Sequence, residues 1–116
     1  MEVSLTDVGD VTVTTVVGSI DGLTAGGLQD TLEARIHAGR NQLVVDFAAV
    51  DYTSSAGLRT LLAVMKETRR AGGDFRLAAV RPDVHRVLEL SGFTSILKLF
   101  AGTDEAVASF QAGSGR

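Results

Sequence analysis

The chain has 116 residues, no cysteine and a formal net charge of −3, which fits one domain and excludes disulfides, thiol chemistry and cysteine-held metal. Its lysines and arginines are scattered, so no nucleic-acid footprint is present. No apolar run approaches the ~20 residues of a membrane span, and Met1-Glu2-Val3-Ser4 lacks the form of a signal peptide, so a soluble cytoplasmic domain without a membrane partner is expected.

In chain order, Val3 to Val8 reads as a first strand of weak alternation, followed by a turn at Asp7, Gly9 and Asp10. Val11, Val13, Thr15 and Val17 alternate with Thr12, Thr14 and Val16, the period of two expected of a strand reaching Gly18 or Ile20. The two strands form a predicted hairpin. Asp21-Gly22 suits a turn, and Thr24 is placed to cap a helix with Leu28, Leu32 and Ile36 on its inner face and Gly39 as its stop. Leu43 to Phe47 is an apolar run typical of a strand buried on both faces. Leu58, Leu61, Leu62 and Met65 then recur at helical spacing from about Ala56 to Ala71, opposite Arg59, Lys66, Glu67 and Arg70. Gly72-Gly73 ends that helix.

Phe75, Leu77 and Ala79 alternate with Arg76 and Ala78 in a further strand. Pro82 fits the first turn of a helix whose inner face is Val84, Val87, Leu88 and Ser91. Ile96 to Phe100 is a predicted last strand, and Thr103 with Asp104 and Glu105 starts a final helix. The order β-β-α-β-α-β-α-β-α implies an α/β domain with a mixed sheet covered by helices. A single domain is expected over 1–111, with a polar, flexible tail at 112–116.

The stretch Asp51-Tyr52-Thr53-Ser54-Ser55-Ala56-Gly57-Leu58 lies between the most strand-like and the most helix-like segments. A serine hydrolase elbow reads Gly-x-Ser-x-Gly, but Thr53 takes the leading position. The only bases on offer, His37 and His85, fall in helices among charged neighbours, so each reads as a surface residue and no catalytic residue is assigned. One glycine and no lysine make a poor phosphate cradle. Asp21, Asp46 and Asp51 read as turn, cap or partner-contact residues rather than metal ligands, and neither a metal nor a cofactor is expected.

A helix cap needs one hydroxyl, and two serines are present. With Ser54 as the cap, its oxygen faces the N–H of Ala56 or Gly57, and Ser55 becomes the first helical residue with its hydroxyl toward solvent. Ala56 and Gly57 keep the neighbouring surface low. A phosphate on Ser55 brings about −1.5 to −2 charges, which a helix N-terminus tolerates. The fold survives such a mark, while a partner packed there meets bulk, repulsion and desolvation.

These segments resemble the STAS domain, the family of sulphate transporter and anti-sigma factor antagonist domains, and look most like a stand-alone bacterial antagonist. The resemblance rests on Gly18-Ser19-Ile20-Asp21, on Leu43-Val44-Val45-Asp46-Phe47 through Val50, on Ser54-Ser55-Ala56-Gly57-Leu58, and on Val84-His85-Arg86-Val87-Leu88-Glu89-Leu90-Ser91-Gly92-Phe93. It implies a non-enzymatic regulator with a STAS fold. Unphosphorylated, such an antagonist binds an anti-sigma factor that is also a serine kinase with a histidine-kinase-like ATPase fold, and sigma factor is released. The kinase phosphorylates the loop serine and a PP2C-type phosphatase reverses the mark. Aligned on Gly57, the modified position is Ser55, with Ser54 the alternative. Partner contacts are then expected from Asp21, Asp51, Thr53, Ser54, Ala56, Gly57 and Leu58. The commonest family loop reads Asp-Ser-Ser/Thr-Gly; here Ser54 replaces the Asp and Ala56 the second hydroxyl. Two other functions stay open: a nucleotide- or ligand-sensing STAS module, and a partner-switching regulator of a non-sigma pathway.

Overall fold

The computed structural model describes residues 1–114, with side chains described as far as Phe110. Its elements are β1 (Glu2–Val8), β2 (Val11–Ile20), α1 (Ala25–His37), β3 (Gln42–Thr53), α2 (Ser55–Arg70), β4 (Asp74–Ala78), α3 (Pro82–Leu90), a 3-10 turn at Phe93–Ser95, β5 (Lys98–Phe100) and α4 (Thr103–Ser114). The strands form one sheet in the order β1-β2-β3-β4-β5. β1 pairs antiparallel with β2, as expected of a hairpin, and the other neighbours are parallel.

This topology dictates where the helices lie. Spatial order follows chain order from β2 to β5, so right-handed crossovers put α1, α2 and α3 on one face of the sheet. Leu28, Leu32 and Ile36 of α1 pack there with Leu61, Val64 and Met65 of α2 and Val84 and Leu88 of α3. Their floor is Val16, Ile20, Leu43, Val45, Phe47, Val50, Phe75 and Leu77. Among the described residues no strand follows α4, which folds onto the other face instead. There Ala106 and Phe110 cover Val11, Val44 and Ala78. β3 is therefore buried on both faces, which is why its first half reads as an unbroken apolar run.

Several expectations shift. β3 continues six residues past Phe47 to Thr53, because Ala49, Val50, Tyr52 and Thr53 pair with Val17, Gly18, Ser19 and Ile20. The register slips between Thr15 and Val17 and again between Gly18 and Ser19, and those slips hide the alternation in sequence. β5 is shortened to Lys98–Phe100 by the preceding 3-10 turn. Ser91 is exposed beyond the end of α3 rather than on its inner face. α4 continues as helix to Ser114, into the stretch expected as a tail, and residues 115–116 lie outside the described residues.

Candidate functional site

The carboxyl ends of β2 and β3 lie side by side, and the two loops that leave them form one edge of the sheet. In open parallel sheets this is the edge where binding sites collect. β2 leads into the loop Asp21–Thr24, and β3 leads through Ser54 into α2. The Ser54 N–H donates to the Ile20 carbonyl at 2.8 Å, which pins one loop to the other.

Ser54 has the extended backbone of a helix cap, with φ −88° and ψ 176°. Its Oγ accepts the Gly57 N–H at 3.2 Å, and its carbonyl accepts the Leu58 N–H at 3.0 Å. Such a cap is worth about 1 kcal/mol. Ser55 is the first residue of α2 and is exposed. The split between a structural serine and an available one is present as the sequence predicts. Gly57 is buried where α2 crosses the end of β2. A Cβ there would meet Thr53 Oγ1, with Ile20 Cγ2 at 2.9 Å and the Ile20 carbonyl oxygen at 3.1 Å, so no side chain fits without movement.

On the neighbouring loop, the Asp21 carboxylate accepts the N–H groups of Leu23 at 2.9 Å and Thr24 at 3.1 Å. The bond from Leu23 holds the Asp21 carboxyl below its usual range, and Thr24 adds to the effect. Thr24 occupies the cap position of α1 without capping it. Its Oγ1 accepts the Asp21 N–H at 2.9 Å and donates to the Ser19 carbonyl at 3.1 Å, so it closes the turn instead of the helix. Asp51 accepts the Ser19 hydroxyl at 2.9 Å, a second tie between β2 and β3.

The other expected site residues divide by burial. Thr53 and Gly57 are buried and build the loop from beneath. Ala56 and Leu58 are half-buried and lean on the main core. Asp51 and Ser55 are exposed, while Asp21 and Ser54 are half-buried. Asp46 lies apart from Asp21 and Asp51. It pairs in register with Thr15, midway along the sheet, and binds the Ala48 N–H at 2.9 Å. Among the described residues no three acids or histidines gather at a metal-binding spacing.

Neither histidine joins Ser55. His37 is exposed in the last turn of α1, the end of that helix remote from this edge, and His85 Nδ1 lies 3.5 Å from Glu89. Three further residues of this edge escape a pattern-based reading. Leu23 is 95% exposed on the turn held by Asp21, and Tyr52 is 54% exposed at the end of β3. Arg59 is exposed one helical turn beyond Ser55. Leu23 had one sequence signal, an aliphatic residue set between turn residues and outside any apolar period.

A profile of the STAS domain matches residues 2–106. The chain belongs to the STAS domain family. It is similar to BtrV of Bordetella bronchiseptica, a protein assigned by name as an anti-sigma factor antagonist, with 32% identity over 111 residues that cover 96% of each chain. It is also similar to the anti-sigma-F factor antagonist RsfB of Mycobacterium tuberculosis, with 27% identity across 96% of this chain and 90% of that one. Among solved structures, the Bacillus cell fate determinant SpoIIAA in its phosphorylated form superposes with a TM-score of 0.74, at 20% identity, over 93% of this chain and 98% of that one. The STAS fold expected from sequence is the fold observed. Among the described residues no helix is long and apolar enough to cross a membrane.

Proposed function

We propose that the protein is an anti-sigma factor antagonist acting in the bacterial cytoplasm. In its unphosphorylated form it binds an anti-sigma factor that is also a serine kinase, which frees the sigma factor. Phosphorylation of Ser55 switches this binding off. The observation that carries the reading is the division of labour between adjacent serines: Ser54 is engaged by the Gly57 N–H, and Ser55 stands exposed at the start of a rigid helix.

The kinase transfers the γ-phosphoryl group of ATP. The Ser55 Oγ–P bond forms, the bond between the β- and γ-phosphates breaks, ADP departs and the hydroxyl proton passes to a base on the kinase. A PP2C-type phosphatase restores the hydroxyl by hydrolysis and releases inorganic phosphate. The chain itself needs no catalytic group for either step. The partner contacts in this reading come from Asp21, Asp51, Ser54, Ala56 and Leu58, with exposed apolar surface on the same edge from Leu23 and Tyr52, while the buried Thr53 and Gly57 support the loop. The names of the relatives favour this reading, as does the existence of a protein of this fold in phosphorylated form.

Calorimetry with the anti-sigma factor kinase of the same organism tests it. The unmodified protein should bind, and the form phosphorylated at Ser55 should bind at least ~30-fold more weakly, the effect of bulk and like charge added at a packed interface. Equal affinity for the two forms would contradict the proposal.

A further inference from the structure

Arg59 lies four residues beyond Ser55 on α2. Side chains at that spacing are neighbours on a helix, with Cβ atoms about 5–6 Å apart, and an acidic group N-terminal to a basic one is the favourable order. An unmodified serine offers this arginine no charge. The other two arginines of α2 are engaged, Arg69 with Asp74 at 3.0 Å and Arg70 with Glu67 at 2.6 Å. Arg59 is exposed and has no charged partner among the described residues. The acidic groups on the adjoining elements are Asp21, in the loop after β2, and Asp51, on β3. Both are carboxylates, and both already accept hydrogen bonds, from Leu23 and Ser19 respectively. The titratable Tyr52 follows Asp51. The Met1 ammonium lies near Asp21 and helps hold that carboxyl down, so a phosphate on Ser55 meets two like charges, the amino terminus and, on its own helix, the Arg59 guanidinium.

We propose that Arg59 is the positioning residue that receives the phosphate of Ser55 and holds it along the first turns of α2 as an intramolecular, charge-assisted pair. This rests on the reading of Ser55 as the modified residue and adds a second half to the switch. The mark places negative charge at the docking edge, and it also withdraws a guanidinium that is free to meet a partner's carboxylate in the unmodified form. The phosphorylated domain is then a settled state, with its added charge compensated by its own helix.

The test uses full-length protein with phosphoserine installed at position 55 during synthesis, so no kinase is involved. The 31P chemical shift against pH reports the second phosphate ionisation, ordinarily near pH 6. A neighbouring cation favours the dianion, so the midpoint lies lower when Arg59 is paired. Arg59→Gln should raise it by roughly 0.5 pH unit at low salt, Arg59→Lys should restore most of the shift, and ~1 M NaCl should erase the difference. Unmodified Arg59→Gln should melt within about 2 °C of the parent, since the residue is exposed and unpaired. Midpoints of the parent and Arg59→Gln within about 0.1 pH unit would overturn the pairing, as would Arg59→Lys matching Arg59→Gln. A kinase that never modifies Ser55 sinks the proposed function instead, and the titration on installed phosphoserine still decides the pair.

Discussion

The two ends of α2 treat their polar groups in opposite ways. At the C-terminal end the charges are closed on one another. Asp74 sits among Lys98 at 2.7 Å, Arg69 at 3.0 Å and Arg76 at 3.5 Å, and it accepts the Phe75 N–H at 2.9 Å. Arg69 also donates to the Ile96 carbonyl at 3.0 Å, and the Thr68 hydroxyl to that of Met65 at 2.7 Å. At the N-terminal end only the backbone is satisfied. Ser54 caps the helix, while Ser55, Arg59, Leu23 and Tyr52 face solvent. A stable helix needs its caps and its buried face, and it needs nothing from the Ser55 hydroxyl. The end that serves the fold has its charges paired, and the end proposed to meet a partner is left with groups to offer.

Glycine substitutions give the largest expected effects, because both ends pack closely and the approach is tightest, backbone on backbone, at Gly73. A Cβ on Gly73 would collide with the Asn41 carbonyl group, whose oxygen accepts the Asp74 N–H at 3.0 Å. Gly73→Ala should cost more than about 3 kcal/mol in denaturant unfolding, and Gly57→Ala about 1–3 kcal/mol, because Thr53 and the Ile20 side chain can give slightly where backbone cannot. Equal and small losses at both positions would mean that the close approaches are not real.

The second effect separates the ends by charge. Burial pushes the Asp74 carboxyl up, but Lys98, Arg69 and the Phe75 N–H outweigh it and hold it at about 2 against an ordinary 3.8. A carboxyl lowered on folding stabilises the fold above its unfolded pKa, and the contribution is lost as pH falls from about 4 toward 2. Solvent screening of Lys98 and Arg69 brings it to about 1 kcal/mol. Asp74→Asn should lose that amount at pH 7 and lose less further stability than wild type between pH 4 and 2 when melting is followed across that range. An unchanged pH profile would dissolve the closed network.

The smallest effects fall on the two serines. Ser54→Ala should cost about 1 kcal/mol through the lost cap, whereas Ser55→Ala and Ser55→Glu should stay within about 0.5 kcal/mol of wild type. Equal losses at the two positions would make Ser55 a structural residue as well.

Much of this was readable in the sequence, for identifiable reasons. The repeat of Leu28, Leu32 and Ile36 and the stripe along α2 follow from helical geometry alone, and all the helices and strands appear in the expected order. The split of Ser54 from Ser55 was legible because capping is local. The second half of β3 was not, because two register slips against β2 break the period that marks a strand. In the sequence Arg76 appears only as a member of an alternating strand, with no sign of a partner. Its guanidinium in fact lies 3.8 Å from the centre of the Phe110 ring, bonded to Ser109, since α4 folds onto that face. The role of Leu23 depends on which loops share an edge, and the sheet order decides that.

Phosphosite mapping tests the central claim most directly. Wild type, Ser54→Ala and Ser55→Ala would each be incubated with ATP and the anti-sigma factor kinase, and the peptide spanning residues 51–58 sequenced by mass spectrometry. A single phosphate on Ser55 in wild type and in Ser54→Ala, and none in Ser55→Ala, is the predicted result. A phosphate carried by Ser54, or one that survives in Ser55→Ala, would contradict the assignment of the cap to one serine and the switch to the other.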